Sequence, residues 1–197
     1  HKVQSQTQRV ASLVGYIQAG GATGWNVCYI SNCFIDAYAV SDNRYASGFV
    51  GRYDDRNLND YLEITTSVFI GRLSAVEMAG GFLGGRGDGK GKLVIMSCVS
   101  EGTMYYTSDQ TLVEIAAKNC SNFVGHYSAN SDDMIRNCFA PFAEHNGNYD
   151  VTVFGSSDDE GNSFYQVYER DFWEITLTEF KSSIAVNSTV WDYENVW

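Results

Sequence analysis

Residues 62–70 constrain the fold of this chain more than any other stretch. Leu62, Ile64, Thr66, Val68 and Ile70 alternate with Glu63, Thr65, Ser67 and Phe69. A period of two places successive side chains on opposite faces of an extended strand, with one face buried. Gly80-Gly81-Phe82-Leu83 then leads through Gly84-Gly85-Arg86-Gly87-Asp88-Gly89-Lys90-Gly91 into a second apolar run, Leu93-Val94-Ile95-Met96-Ser97-Cys98-Val99. A glycine-dense polar segment between apolar runs predicts a wide, exposed turn inside a sheet.

The same turn contains two motif-like strings. Gly84 to Lys90 fits the spacing G-x-x-x-x-G-K, but Gly91 stands where a phosphate loop needs Ser or Thr, and a strand-like run follows instead of a helix. Without a helix N-terminus the aligned N–H groups that hold phosphate are missing, so nucleotide binding is not expected. Arg86-Gly87-Asp88 spells an adhesion tripeptide, which a polar glycine turn produces by chance.

The chain has 197 residues, enough to bury a core as a single domain, with the polar, turn-rich residues 42–59 the place where an internal boundary would fall. One proline against nineteen glycines implies turns built by glycine and asparagine. Net charge is −11 and the 13 Lys and Arg form no stripe, so general binding to nucleic-acid phosphates is disfavoured. No apolar run approaches the roughly 18 residues that span a bilayer, and no signal peptide is evident, although a removed one leaves no trace.

Apolar residues Val10, Leu13, Val14 and Ile17 recur at helical spacing and predict a helix over 3–18. Residues 24–30 and 34–40 read as strands joined by a Ser31-Asn32 turn. Thr107-Ser108-Asp109-Gln110 has the spacing of a capping box and predicts a helix over 108–118. Ser131 followed by Asp132 and Asp133 predicts another over 131–140, ended near Pro141. Strands are expected at 62–70, 92–99, 149–154 and 172–180. The expected fold is α+β: an antiparallel sheet with two to three helices packed on it, and a helix-then-strand echo suggesting a duplicated plait.

Five cysteines, Cys28, Cys33, Cys98, Cys120 and Cys138, lack the spacing of a redox or zinc motif. Asn119-Cys120-Ser121 and Asn187-Ser188-Thr189 are glycosylation sequons. Together these favour a secreted, extracellular protein with one or two disulfides, Cys28 and Cys33 being the local pair and one thiol free or tethered to a second chain. Asp54-Asp55 and Asp158-Asp159-Glu160 lack the alternating ligands of a calcium loop and read as solvated acidic turns, so no metal and no cofactor is expected. The candidates for metal-free hydrolysis of RNA are His126, Glu144, His145, Glu169 and Arg170, as acid, base and phosphate clamp. Thirteen tyrosines and four tryptophans in a weakly charged chain offer a surface for sugars or proteins instead.

The order helix, small turn and Gly-(Trp/Tyr)-x-Val strand with scattered cysteines resembles secreted fungal killer toxins and related necrosis-type effectors. The closest stretch is 131–153, with Cys138 in the helix and Tyr149-Asp150-Val151 after it, and 9–28 echoes it. The resemblance implies an α+β plait, secretion through a processing protease, and a target-cell surface as partner. The expected function is therefore a secreted, toxin-like binding protein acting on a cell-surface glycan or protein without catalysis of its own. The alternative is a small ribonuclease-type toxin.

Overall fold

The computed structural model describes residues 2–5, 8–18, 26–101, 103–108, 111–114, 120–128, 130, 132–140, 143–145, 148–150, 154–157 and 164–169. All of its regular structure is strand, in repeated sets of five. The first set is β1 (Lys2–Ser5), β2 (Arg9–Ala11), β3 (Ile17–Gln18), β4 (Val27–Ser31) and β5 (Phe34–Ile35). The second is β6 (Tyr38–Ser41), β7 (Tyr45–Ser47), β8 (Val50–Asp54), β9 (Tyr61–Thr65) and β10 (Val68–Phe69). The third is β11 (Arg72–Ala75), β12 (Met78–Gly80), β13 (Leu83–Gly87), β14 (Lys92–Met96) and β15 (Val99–Ser100). The fourth is β16 (Thr103–Ser108), β17 (Thr111–Glu114), β18 (Cys120–Ser121), β19 (Val124–Tyr127) and β20 (Met134–Ala140). Then come β21 (Ala143–His145), β22 (Asn148–Asp150), β23 (Phe154–Ser157) and β24 (Phe164–Glu169).

Each set pairs in parallel with the one before it, except that in the fourth β17 pairs only with β16 and β20 takes the columns of both β14 and β15. The sheets run β1-β6-β11-β16, β2-β7-β12-β18, β3-β8-β13-β19-β23 and β4-β9-β14-β20, with β5-β10-β15 continuing onto the far end of β20. Phe34, Val68, Val99 and Phe139 lie in one column, at spacings of 34, 31 and 40 residues. A chain that returns to the same column once per set is a coil of stacked turns, a parallel β-solenoid. The longer fourth turn contains β17, which folds back antiparallel on β16. Antiparallel pairing is otherwise confined, among the described residues, to β21 with β22.

The corner after β4 shows how the sequence makes the coil. Ile30-Ser31-Asn32-Cys33-Phe34, Ile64-Thr65-Thr66-Ser67-Val68, Ile95-Met96-Ser97-Cys98-Val99 and Ile135-Arg136-Asn137-Cys138-Phe139 occupy equivalent positions. The third residue of each takes a left-handed backbone, with φ of 55°, 45°, 54° and 52°. One such residue bends an extended chain sharply, and short polar side chains tolerate the conformation best. Thr66 Oγ1 donates to Asn32 Oδ1 at 2.6 Å, tying neighbouring turns at the bend. The isoleucines point inward with Leu62, Leu93 and Leu73, and the stacked rings of Phe49, Phe82 and Phe123 fill the opposite side at 4.6 and 5.6 Å between centroids. Each such buried side chain contributes about 1.5–3 kcal/mol of transfer free energy.

This architecture overturns the α+β expectation, antiparallel sheet and helices alike. Residues 3–18 hold β1, β2 and β3, because Val10 packs inward from a strand while Val14 and Ile17 belong to the next face of the coil. Residues 131–140 hold β20, whose Ile135 and Cys138 face the core. At 108–118, β17 stands where a helix was expected, and 115–119 lie outside the described residues. The strand over 62–70 is two, broken at Thr66, and that over 92–99 is broken at Ser97. β4 and β5 do not pair as a hairpin; both pair with the next turn. Residues 42–59 carry β7 and β8 within the sheets, and the expected glycine turn is largely strand β13, buried throughout. The strand expected at 149–154 lies partly outside the described residues, and that at 172–180 wholly so.

Candidate functional site

Two surfaces and one interior cluster concentrate the chemistry. The first surface is the outer face of the β4-β9-β14 sheet. Alternation sends Cys28, Ile30, Leu62, Ile64, Leu93 and Ile95 inward, leaving Val27, Tyr29, Tyr61, Glu63 and Lys92 on the outside. Val27, Tyr61 and Lys92 share a column, as do Tyr29 and Glu63. Tyr29 is 68% exposed, and its ring meets Tyr61 edge to face at 5.8 Å and 65°. Lys92 Nζ lies 6.0 Å from the Tyr61 centroid, and the Tyr61 hydroxyl donates to Glu63. Burial, then that bond and the Glu63 charge, push the Tyr61 hydroxyl well above its ordinary pKa, so it stays a protonated donor. With Phe34 exposed beyond the corner, this is an aromatic strip crossing successive turns, each about 4.8 Å from the next.

The second surface is the concave corner where the β2-β7-β12 sheet turns into the β3-β8-β13-β19 sheet. Each turn places one side chain of the first sheet against one of the second. In the first turn the Arg9 guanidinium lies 3.9 Å over the Tyr16 ring. In the second the order reverses: Tyr45 faces Arg52, whose Nη1 donates to the Tyr45 hydroxyl. In the third, Gly85 lets the Tyr45 ring lie on the backbone, because a Cβ there would sit 2.5 Å from Tyr45 Cε1. Asp54 joins the two turns, accepting from Tyr16 Oη at 2.6 Å and Arg52 Nε at 2.5 Å. Burial alone would raise the Asp54 carboxyl, but those two bonds and the charges of Arg52 and Arg9 outweigh it and hold the pKa below normal. His126 stands half-buried in the same column, in register with Gly85 as Arg52 is on the other side.

Inside the coil, Arg86 is fully buried between two carboxylates. Its Nε and Nη2 donate to Asp55 Oδ2 at 2.9 and 2.6 Å, and its Nη1 pairs with Asp133. Asp55 also accepts from the backbone N–H of Gly91 and Gly89, and Asp133 from Leu93 N at 2.7 Å and the Tyr127 hydroxyl. The three charges bind the second, third and fourth turns together. Arg86 is therefore unavailable to any adhesion partner, and the segment from Gly84 to Lys90 offers no helix N-terminus to phosphate. Asp54 and Asp55, expected as a solvated turn, are both buried and point to different arginines. Among the described residues no group of three or more His, Cys, Asp or Glu could hold a metal ion.

The hydrolase candidates fall on different sheets: His126 in β19, Glu144 and His145 in β21, Glu169 in β24 opposite Ala140. Arg170 lies outside the described residues. Cys28, Cys33, Cys98 and Cys138 are free thiols, so the Cys28–Cys33 bridge expected from sequence is not formed. Burial raises the pKa of Cys28, Cys33 and Cys98, and for Cys98 the adjoining Cys138 adds to the rise. Cys120 lies in β18, paired with Ala79; Ser121 of its sequon is buried and donates to Val124 O at 2.7 Å. Asn119 and Asn187 lie outside the described residues. Sequence reasoning missed the Arg9–Tyr16 and Tyr45–Arg52 pairs. Their signal is an Arg and a Tyr exchanging places at positions 9 and 45 and again at 16 and 52, visible only once the coil period is known.

Comparison of the chain with protein-family models, with curated proteins and with solved structures finds no match. Among the described residues no helix is long and apolar enough to cross a membrane.

Proposed function

We propose that this protein is a secreted binding protein, without catalysis of its own, that holds a glycan chain along the outer face of the β4-β9-β14 sheet at a target-cell surface. The observation that carries this reading is the Tyr29 ring, 68% exposed and braced edge to face by Tyr61. An aromatic ring fixed by a neighbour loses little conformational freedom on binding, and its face suits the apolar side of a sugar ring. Tyr61, Glu63 and Lys92 supply a hydroxyl, an acceptor and a cation at the next turns, where sugar hydroxyls along a chain need partners. Secretion is part of the same proposal and rests on the sequons at Asn119 and Asn187. A protein ligand is less well served, since Lys and Glu are depleted at the centre of protein interfaces.

The test is a glycan array probed with the intact chain, followed by titration of whatever glycan is retained. Tyr29→Ala is expected to weaken binding about tenfold while leaving the melting temperature within about 2 °C of wild type, since an exposed side chain contributes little to folding. An array with nothing retained, or equal retention by the variant, refutes the reading.

A further inference from the structure

The concave corner holds a guanidinium, that of Arg9, with donors that no described residue accepts. Arg52 is held by two bonds, Nε on Asp54 and Nη1 on the Tyr45 hydroxyl. Asp54 in turn accepts from Arg52 and Tyr16, one bond on each oxygen. Arg9 differs. Its guanidinium carbon lies 3.9 Å over the Tyr16 ring centroid, yet it makes no hydrogen bond or ion pair to any described residue, and its Nε is a buried donor without a partner. A guanidinium carries five N–H donors in a planar fork, and stacking on an aromatic face fixes that plane while leaving its edge unspent. Among the described residues of the corner, Arg9 and Arg52 share the one carboxylate of Asp54, whose hydrogen bonds go to Arg52 and Tyr16.

Arg9 is half-buried, and a guanidinium held with part of its donor edge unspent is placed to take an acceptor that arrives from outside. We infer that Arg9, braced by Tyr16 with the Tyr45–Arg52–Asp54 network behind it, is a binding site for an oxyanion carried by an acidic ligand. The shared chemistry is two oxygens of one group meeting the fork edge of Arg9, which a planar carboxylate and a tetrahedral sulfate or phosphate both provide. Tyr16 is a positioning residue here. Its hydroxyl is anchored on Asp54, so its ring cannot swing away from the guanidinium. The site lies on a different sheet from the Tyr29 strip and does not depend on the glycan reading.

The experiment is a nuclear magnetic resonance titration of the Arg9 Nε–H in the intact chain. Sodium sulfate, inorganic phosphate and sodium acetate are added separately, against sodium chloride at matched ionic strength. A saturable shift of Arg9 Nε–H with at least one oxyanion is expected, and comparing acetate with sulfate and phosphate separates planar from tetrahedral preference. Arg9→Lys, followed through the Tyr16 ring resonances, should bind about tenfold more weakly because the bidentate fork is lost. Arg9→Gln should show no saturation, and Arg72→Gln, an exposed arginine of β11, should leave the response unchanged. A linear drift of Arg9 equal to that in chloride overturns the site. So does saturation that survives Arg9→Gln in a variant whose circular dichroism matches wild type.

Discussion

Replacing Arg86 by Met tests whether the interior ion cluster holds the solenoid turns together. Methionine keeps the length and the apolar stem but removes the cation. Asp55 would lose the donors at 2.9 and 2.6 Å and keep the N–H groups of Gly89 and Gly91. Asp133 would lose one donor and keep those of Leu93, Asn130 and Tyr127. Neither carboxylate is stripped of hydrogen bonds, so the loss is mainly of the compensating charge. Breaking a buried pair from one side costs about 3–5 kcal/mol. At about 2–4 °C per kcal/mol for a chain of this length, a loss near 4 kcal/mol lowers the melting temperature by about 8–16 °C.

The pH dependence gives the sharper test. Without Arg86 the buried Asp55, whose carboxyl burial already raises, loses the cation that opposed the rise. A carboxyl raised in the folded state favours folding while protonated, and that contribution is lost as pH rises through the folded pKa. The deficit of Arg86→Met should therefore be largest at neutral pH and shrink as pH falls towards 5. Asp55 already shows the first part of this in the wild type, where burial raises its pKa in spite of Arg86. Asp54 works in the opposite sense: its lowered pKa stabilises the fold above the ordinary carboxylate range and the benefit fades as pH falls through it. Urea unfolding followed by circular dichroism at several pH values measures the gap directly. Adding Asp55→Asn and Asp133→Asn to Arg86→Met should restore much of the stability, since no charge is left in this cluster. A single variant as stable as wild type at neutral pH, or a gap that widens on acidification, refutes the argument.

Two further substitutions probe the coil itself. Phe82→Ala opens the centre of the Phe49–Phe82–Phe123 stack and should cost about 3–5 kcal/mol in thermal or urea unfolding, against under about 1.5 kcal/mol for Phe82→Leu if the site repacks. Ser97→Asn puts at the third corner the residue already present at positions 32 and 137, where φ is 54° and the serine hydroxyl has no partner. It should raise the urea midpoint, by about 0.5–1 kcal/mol of stability, because asparagine tolerates the left-handed backbone better.

Read alone, the amino-acid pattern shows that the centre of the chain is extended and apolar, as β9 and β14 are. It also contained the coil. Ile30-Ser31-Asn32-Cys33-Phe34 and Ile135-Arg136-Asn137-Cys138-Phe139 differ only at the second position, and two related copies lie between them. Unequal spacings of 34, 31 and 40 residues conceal that repeat from a search at fixed period. The helices expected at 3–18 and 131–140 failed for a related reason. At each corner of the solenoid the chain turns to a new face, so inward positions shift phase, and a phase-shifted period of two imitates helical spacing over one or two turns.

Which strands are neighbours, and with that where the chemistry lies, comes from the stacking of the turns. Local pattern specifies that a segment is extended but not its partner, because backbone pairing is the same for every sequence. Stacking turn on turn is what carries Asp55, Arg86 and Asp133 to one interior point, sets Arg9 on Tyr16 beside Tyr45 and Arg52, and aligns Tyr29 with Tyr61. Arg86 shows the difference most plainly. Among glycines and beside Asp88 it has every mark of a surface turn. Yet the third turn needs a cation in its interior, since the turns on either side each bring a carboxylate there.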